Sequence, residues 1–412
     1  MKRIVFIALS LFLFVDIYAC TSAIFTGKAT ADGRPLMWKN RDTDNLKNRL
    51  QYFDKNSLGL KYSFLGLVNS SSKGGEVWSG SNEAGFCIMN TASYNIDIKE
   101  DKDFEKDGEG RVMYMALSVC KNLKDFEYFL DTLSKPAPVE ANFGVIDAEG
   151  GAAYYEMNSR TWVKRDANDP NLAPNGYLVV TNFSFTGRVD EGYGYIRHSS
   201  AEYLINQAFN KGVKFTPDWI MNNLSRSFYH SLLGLDVVES GMINSTNGWF
   251  IDQDFISRKS TSSISIFQGV EKGEEPGNTV FWCALGYGPL GICMPVIMKY
   301  LPLIPNGMEA MGGSGKNSNL SFLNSQSLKV KESVFPIVRG SGSKYVNIGK
   351  LFNSEGNGYT QIIQSSENKI FNDSYKVIMN IRKTSVELSK IEELYRSNSK
   401  IATSTYEQLL KK

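Results

Sequence analysis

Cys20-Thr-Ser-Ala-Ile-Phe-Thr-Gly-Lys-Ala-Thr-Ala-Asp-Gly-Arg-Pro-Leu-Met-Trp-Lys-Asn-Arg-Asp42 is the stretch on which the fold of this chain turns. Two short apolar runs, Thr21–Phe25 and Pro35–Trp38, flank a segment rich in Gly, Asp and Thr, so a strand leads at once into a hairpin. What precedes it is of another kind. Lys2 and Arg3 are followed by an apolar run from Ile4 to Val15, too short to span a bilayer, and Ala19 places a small residue before Cys20. Residues 1–19 read as a secretory signal peptide cleaved after Ala19. The expectation is an exported protein, periplasmic or secreted, with no integral membrane span.

Cleavage there would make Cys20 the first residue. Its α-amine, with a pKa of about 7.7–8, would be partly neutral near pH 7 and able to take the proton of the thiol on the same residue. Nucleophile and base would then need no imidazole. The composition agrees: the chain has 412 residues but only two histidines, His198 and His230. Three-histidine zinc sites and HExxH motifs are excluded. Both histidines fall in helical runs and read as structural. No metal or organic cofactor is expected.

The remaining composition is that of a folded globular protein, 42% hydrophobic and 21% charged, with a formal net charge of +2 and no long charged block. Nucleic acid is not an expected partner. Cys87, Cys120, Cys283 and Cys293 read as small buried hydrophobes, with a Cys283–Cys293 bridge left open.

Short strands are expected at 63–68, 85–89, 142–146, 152–156, 177–181, 263–267, 279–282 and 294–298, and helices at 111–121, 123–133, 195–209 and 216–228. Residues 302–366, rich in Ser, Asn and Gly, read as an irregular excursion or lid, and 368–411 as helix. Strands, helices, strands, helices, strands in that order favour antiparallel sheets covered by helices, an α+β class.

The opening stretch resembles the N-terminal-nucleophile hydrolases that cleave linear amides: the bile-salt and penicillin V hydrolases, the isopenicillin-N acyltransferase-like enzymes and a dipeptidase branch. The shared pattern is Cys-Thr, then Gly-Lys-x-Ala-Thr-x-Asp-Gly, then Asn-x-Asp. Gly80-Ser-Asn-Glu-Ala-Gly-Phe86, Val180-Thr-Asn-Phe183 and Gly194-Tyr-Ile-Arg-His198 are similar to later motifs of the group. The resemblance covers about residues 20–300. It implies a four-layer αββα sandwich of antiparallel sheets for that span, with 301–412 a C-terminal extension packing on or completing the same domain.

It also implies roles. Cys20 attacks an amide carbonyl and forms a thioester. Asp42 accepts a hydrogen bond from its α-amine. Asn182 donates its side-chain amide to the oxyanion, with Asn90 a second donor whose place Ala92 or Asn95 could take. Arg197 orders the site or meets a substrate carboxylate. Glu156 is a weaker candidate. Where the family has Arg-Asn-x-Asp, this chain has Lys39-Asn40-Arg41-Asp42. One cation, Lys39 by alignment or else Arg41, is expected beside the thiol; strand alternation is taken to keep the other from facing it. Trp38, Tyr52, Phe53 and Trp78 could line an acyl pocket.

The expected activity is hydrolysis, or acyl transfer, of a small-molecule linear amide. A lipid-anchored surface lipoprotein with a ligand-binding role is the alternative, although Ile17-Tyr18-Ala19-Cys20 is a poor lipobox. A dipeptidase of the same fold is the third. Assembly as a homo-oligomer is left open.

Overall fold

The alternation of β1 (Cys20–Phe25) sets the layers. Ile24 faces one core, while Ala23 and Phe25 face another on the opposite side of the same strand. A strand buried on both faces must lie between two packed layers. The computed structural model, which describes residues 19–98, 108–244, 248–313, 317–340 and 343–412, shows those layers directly. The expected signal peptide, apart from Ala19, lies outside the described residues.

The first sheet has six strands in the order β10 (Tyr177–Val180), β1, β2 (Leu36–Asp42), β14 (Thr261–Gln268), β15 (Val280–Leu285) and β16 (Cys293–Ile297). The second is a seven-strand meander of β3 (Asn48–Phe53), β4 (Phe64–Asn69), β5 (Ser79–Asn82), β6 (Cys87–Ala92), β7 (Ala141–Ile146), β8 (Ala152–Met157) and β9 (Trp162–Asp166). Every pairing in both sheets is antiparallel. Small two-strand ribbons join β11 (Tyr229–His230) to β12 (Leu235–Asp236) and β13 (Trp249–Phe250) to β17 (Val346–Asn347).

Three cores separate the layers. Ile24, Met37 and Phe267 of the first sheet meet Leu65, Met89 and Tyr154 of the second. Two polar contacts cross the same gap, Ser22 Oγ to Tyr154 Oη at 2.9 Å and Ser79 Oγ to Ser265 Oγ at 2.8 Å. On the outer side of the second sheet lie α2 (Glu109–Val119) and α3 (Leu123–Thr132), after the single-turn α1 (Lys55–Leu58). Asn122 caps α3 by accepting from the Asp125 amide at 2.9 Å. Phe126 and Leu130 then fall one turn apart on its buried face, each contributing about 1.5–3 kcal/mol by leaving water.

On the outer side of the first sheet lie α4 (Tyr195–Asn210) and α5 (Pro217–Ile220), then α8 (Tyr359–Ile381) and α9 (Leu388–Leu410). Trp282 of β15 stacks on Phe371 of α8 at 4.8 Å. The layer order is therefore αββα. The ends of the inner core are closed by α6 (Phe322–Val334) and α7 (Ile348–Leu351), through Leu323, Val330, Ile348 and Leu351.

Several expectations need correction. Residues 302–366 are not merely irregular, since α6, α7 and the start of α8 lie there. Ser321 caps α6 by accepting from the Asn324 amide at 3.0 Å, a signal overshadowed by the polar composition. The C-terminal helix is two helices, broken at 382–387. Three strands of the two large sheets, β3, β5 and β9, escaped notice, as did the four short ribbon strands; β5 is Ser-Gly-Ser-Asn, which offers no apolar residue to a period-two search, yet it is wholly buried. Cys283 and Cys293 form no bridge. Register pairs Cys283 with Met294 and Ala284 with Cys293, so the two thiols fall on opposite faces of the sheet. His230 sits in a ribbon strand rather than a helix.

Candidate active site

Cys20 and Asp42 sit at corresponding ends of β1 and β2. Cys20 pairs with Arg41, and Asp42 is the next residue. β2 in turn pairs with β14, where Asp42 faces Thr261. Cys20 lines a cavity of about 1240 Å³ together with Lys39, Arg41, Asp42, Trp78 and Asn90.

The nitrogen of Cys20 donates to Asn182 Oδ1 at 2.7 Å. In the full chain this is the Ala19–Cys20 peptide N–H, and both residues are buried. The same oxygen accepts from Arg197 Nη2 at 2.8 Å. Two obligate donors on one atom settle which end of the Asn182 amide is oxygen. Its Nδ2 is then directed to the Ala92 carbonyl at 2.9 Å. This differs from the expected role: Asn182 presents its acceptor to Cys20 and spends its donor elsewhere.

Arg197, 2% exposed, also donates through Nη1 to the Cys20 carbonyl at 2.6 Å and to Thr21 Oγ1 at 2.8 Å. It orders the first strand. Burial lowers its pKa to about 10, with the Arg258 charge adding to the effect, which still leaves it charged at neutral pH. The guanidinium fits because residue 194 is glycine: with φ at +87°, a Cβ there would stand 2.5 Å from Nη2.

Lys39 donates to Asn90 Oδ1 at 2.8 Å and to the Trp78 carbonyl at 3.1 Å. Burial drives its pKa down to about 8; the neighbouring Cys20 pulls it up and Arg41 pushes it down. Arg41 lies with its guanidinium carbon 4.6 Å from the Trp78 ring centroid and donates to Asn48 Oδ1 at 3.3 Å. Lys39 and Arg41 therefore both face the gap between the sheets. The expectation that only one could do so is corrected: the two are separated by Asn40, a full strand period, so alternation puts them on the same face.

Asp42 is buried and accepts from Thr261 Oγ1 at 2.7 Å. Burial raises its pKa, against the opposing charges of Arg258, Arg197 and Lys39. Arg258 Nε stands 3.3 Å from Oδ2 without the alignment of a hydrogen bond, which leaves Oδ2 an unfilled buried acceptor. In this chain the Cys20 nitrogen is bonded to Asn182, not to Asp42.

The other candidates separate. Asn90, its oxygen fixed by Lys39, keeps Nδ2 as its donor end, and it lines the cavity. Ala92 lines the cavity as well, with its carbonyl given to Asn182. Asn95 is instead tied to the 184–188 loop, through Ser184 and Arg188. Glu156 accepts from the amides of Phe185 and Thr186 at 2.9 and 2.8 Å, clamping the same loop. Of the four aromatic residues suggested for an acyl pocket, Trp78 lines the cavity. Trp38 faces the outer core and Phe53 the core of the second sheet.

Sequence reading missed Arg258, Thr261 and Lys331. Lys331 reaches the cavity from α6, and nothing local marks it as different from a solvated helix lysine. Among the described residues, no group of three or more His, Cys, Asp or Glu side chains could hold a metal ion. No helix among them is long and apolar enough to cross a membrane.

Two antiparallel sheets between helix layers, with Cys20 opening an inner strand of one sheet, make a four-layer αββα sandwich. Three solved structures are similar to it. A Caenorhabditis elegans ortholog of N-acylethanolamine-hydrolyzing acid amidase is 16% identical, with a TM-score of 0.38, over 63% of this chain and 93% of that one. A variant of conjugated bile acid hydrolase from Clostridium perfringens is 12% identical, with a TM-score of 0.41, over 68% of this chain and 92% of that one. Penicillin V acylase from Agrobacterium tumefaciens is 12% identical, with a TM-score of 0.36, over 68% and 86%. No family model and no curated protein matches the sequence. The layer assignment stands on the sheet order and the three cores, independently of these values.

Proposed function

We propose that the chain is an exported amidohydrolase whose nucleophile is Cys20, freed as the first residue by removal of residues 1–19. The observation that carries this reading is the grip on Cys20. Its nitrogen and carbonyl are both held, by Asn182 and Arg197, while the residue lines a cavity shared with Lys39 and Asn90.

A neutral α-amine there takes the thiol proton, and the thiolate attacks the amide carbonyl carbon. The oxyanion is met by Asn90 Nδ2, with the Lys39 charge behind it. Collapse breaks the C–N bond; the amine leaves with the proton held by the α-amine, and a thioester remains. Water then attacks the thioester, gives its proton to the α-amine, and releases the acid as the thiol re-forms. Another amine in place of water gives acyl transfer. Asp42 Oδ2, an unfilled acceptor beside the strand end, suits the ammonium formed midway.

The lipoprotein reading fits less well. Ala19 and Cys20 are both buried, and a diacylglyceryl chain on Sγ would have to leave through the cavity. Mass spectrometry of the exported N-terminus separates the two. A chain starting at free Cys20 supports the hydrolase, and a lipidated, N-acylated Cys20 defeats it. Cys20→Ala is expected to abolish cleavage of N-acyl amino acids, bile-salt amides or dipeptides while the thermal midpoint is kept; undiminished cleavage by that variant would overturn the assignment. The same substrate panel decides between the amidase and the dipeptidase.

A further inference from the structure

We propose that Lys331 is the anion-recognition residue of the Cys20 cavity, and that the amide cleaved there carries a carboxylate which reaches α6. The inference rests on the hydrolase reading for its substrate, but its geometry is its own.

Lys331 is 5% exposed and lines the cavity from α6, a helix far along the chain from the strands that carry Cys20 and Asp42. Its ammonium has three donors. One goes to the Lys259 carbonyl. The rings of Tyr287 and Phe335 lie 5.3 and 6.0 Å from Nζ, surroundings that attract a cation without accepting its remaining N–H groups as an anion would. Among the described residues no carboxylate stands within ion-pair distance of it. Asp252 and Asp42 act on it only at longer range, and Lys259 opposes them.

The other charges lining the cavity from buried positions, Lys39, Arg41, Asp42 and Glu109, are already engaged, Glu109 accepting from the Glu140 amide at 3.4 Å. Lys39 is bonded to Asn90 and Trp78, and Arg41 to Asn48 and the Trp78 ring. Asp42 answers to Thr261 and Arg258. A buried ammonium costs free energy unless something pairs with it. Burial lowers its pKa to about 7, the direction expected of a cation waiting for its counter-charge. A bound carboxylate would supply the missing acceptors and restore the proton.

Two sources of the carboxylate are distinguishable: the leaving amine, as in an N-acyl amino acid, or the far end of the acyl chain, as in a dicarboxylic acid monoamide. The test reads binding without turnover, on the full chain carrying Cys20→Ala, with Lys331 intact or changed to Met, Gln or Arg. N-hexanoylglycine is compared with N-hexanoylglycine amide, and adipic acid monoanilide with its methyl ester, by calorimetry at pH 6.5. In one of the two arms the acid is expected to bind at least about tenfold more tightly than its neutral twin, the scale of one charge-assisted hydrogen bond. Lys331→Met and Lys331→Gln erase that ratio and leave the neutral ligand's affinity alone; Lys331→Arg retains part of it. Equal binding of acid and neutral ligand in both arms, no binding in either, or a ratio that survives Lys331→Met overturns the proposal. Acid-selective binding to a protein whose wild type cleaves none of N-acyl amino acids, bile-salt amides or dipeptides supports the anion site and sinks the hydrolase reading alone.

Discussion

Asn182 Oδ1 is shared between the Cys20 nitrogen, at 2.7 Å, and Arg197 Nη2, at 2.8 Å. One oxygen thus couples the end of β10 and the first turn of α4 to the residue that opens β1. Asn182→Ala removes the acceptor that aims the Cys20 nitrogen. Turnover is expected to fall by roughly 10²-fold, the lower end of what a positioned base supplies, with little change in KM. Steady-state kinetics on a cleavable N-acyl substrate check it.

Arg197→Met takes donors from three buried acceptors at once: the Cys20 carbonyl, Thr21 Oγ1 and Asn182 Oδ1. Asn182 Oδ1 keeps the Cys20 nitrogen, and each acceptor left without a donor costs about 1–3 kcal/mol. The variant is expected to lose both activity and stability, unlike Asn182→Ala. A denaturant midpoint equal to that of the wild type would show that the three contacts do not hold β1.

Lys39 supplies its charge only while protonated, and its pKa of about 8 places the change within reach. Lys39→Met should slow cleavage of an N-acyl substrate at pH 7 by about tenfold or more, because the charge behind the oxyanion is gone. Between wild type and variant the difference should shrink as pH rises through about 8. A constant ratio up to pH 9.5 would mean that Lys39 acts only by packing.

Stability should rise with pH between 7.5 and 8.5. Lys331 and Lys39 hold their protons less tightly in the folded chain, at about 7 and about 8, than at the ordinary 10.5 of the unfolded one. The unfolded state therefore binds more protons in this window, and raising pH favours the fold. Above about pH 9 the buried thiols, pushed up to about 12 at Cys87 and Cys120, turn the slope the other way. Lys331→Met should flatten the rise, as read from urea midpoints across that range.

The Arg226–Glu367 pair ties α8 to the first sheet. Nη1–Oε2 is 2.7 Å and Nη2–Oε1 is 3.0 Å, and Glu367 also takes the Cys293 amide at 2.6 Å. Both side chains are buried. Glu367→Ala leaves a buried guanidinium without its anion and should cost about 3–5 kcal/mol. Unfolding followed by tryptophan fluorescence and by circular dichroism should remain one coincident transition in the wild type, since residues beyond 300 fill the same cores. Two separable transitions would instead make 301–412 an independent unit.

The sequence alone carried the opening strand and hairpin, the helices α2 to α4, the antiparallel class and Cys20 as the residue to examine. These are local matters. Period, capping and turn residues report which face of an element is apolar, and a scarcity of histidine narrows the chemistry. It could also have settled Lys39 and Arg41, since a separation of two in a strand means a shared face; the misreading was one of counting.

Tertiary structure alone decided the partners. That β14 lies against β2, bringing Thr261 to Asp42, depends on pairing between segments far apart in the chain. That Asn182 turns its oxygen to Cys20 depends on Arg197 claiming the same atom. Lys331 is the clearest case: on α6 it is one polar residue in a polar stretch, and only the closure of the cavity by that helix removes it from water. Periodicity fixes the face a residue occupies along its own element. What stands opposite that face is fixed by how the sheets and helices stack, and there the charge, the acceptors and the chemistry of this site are set.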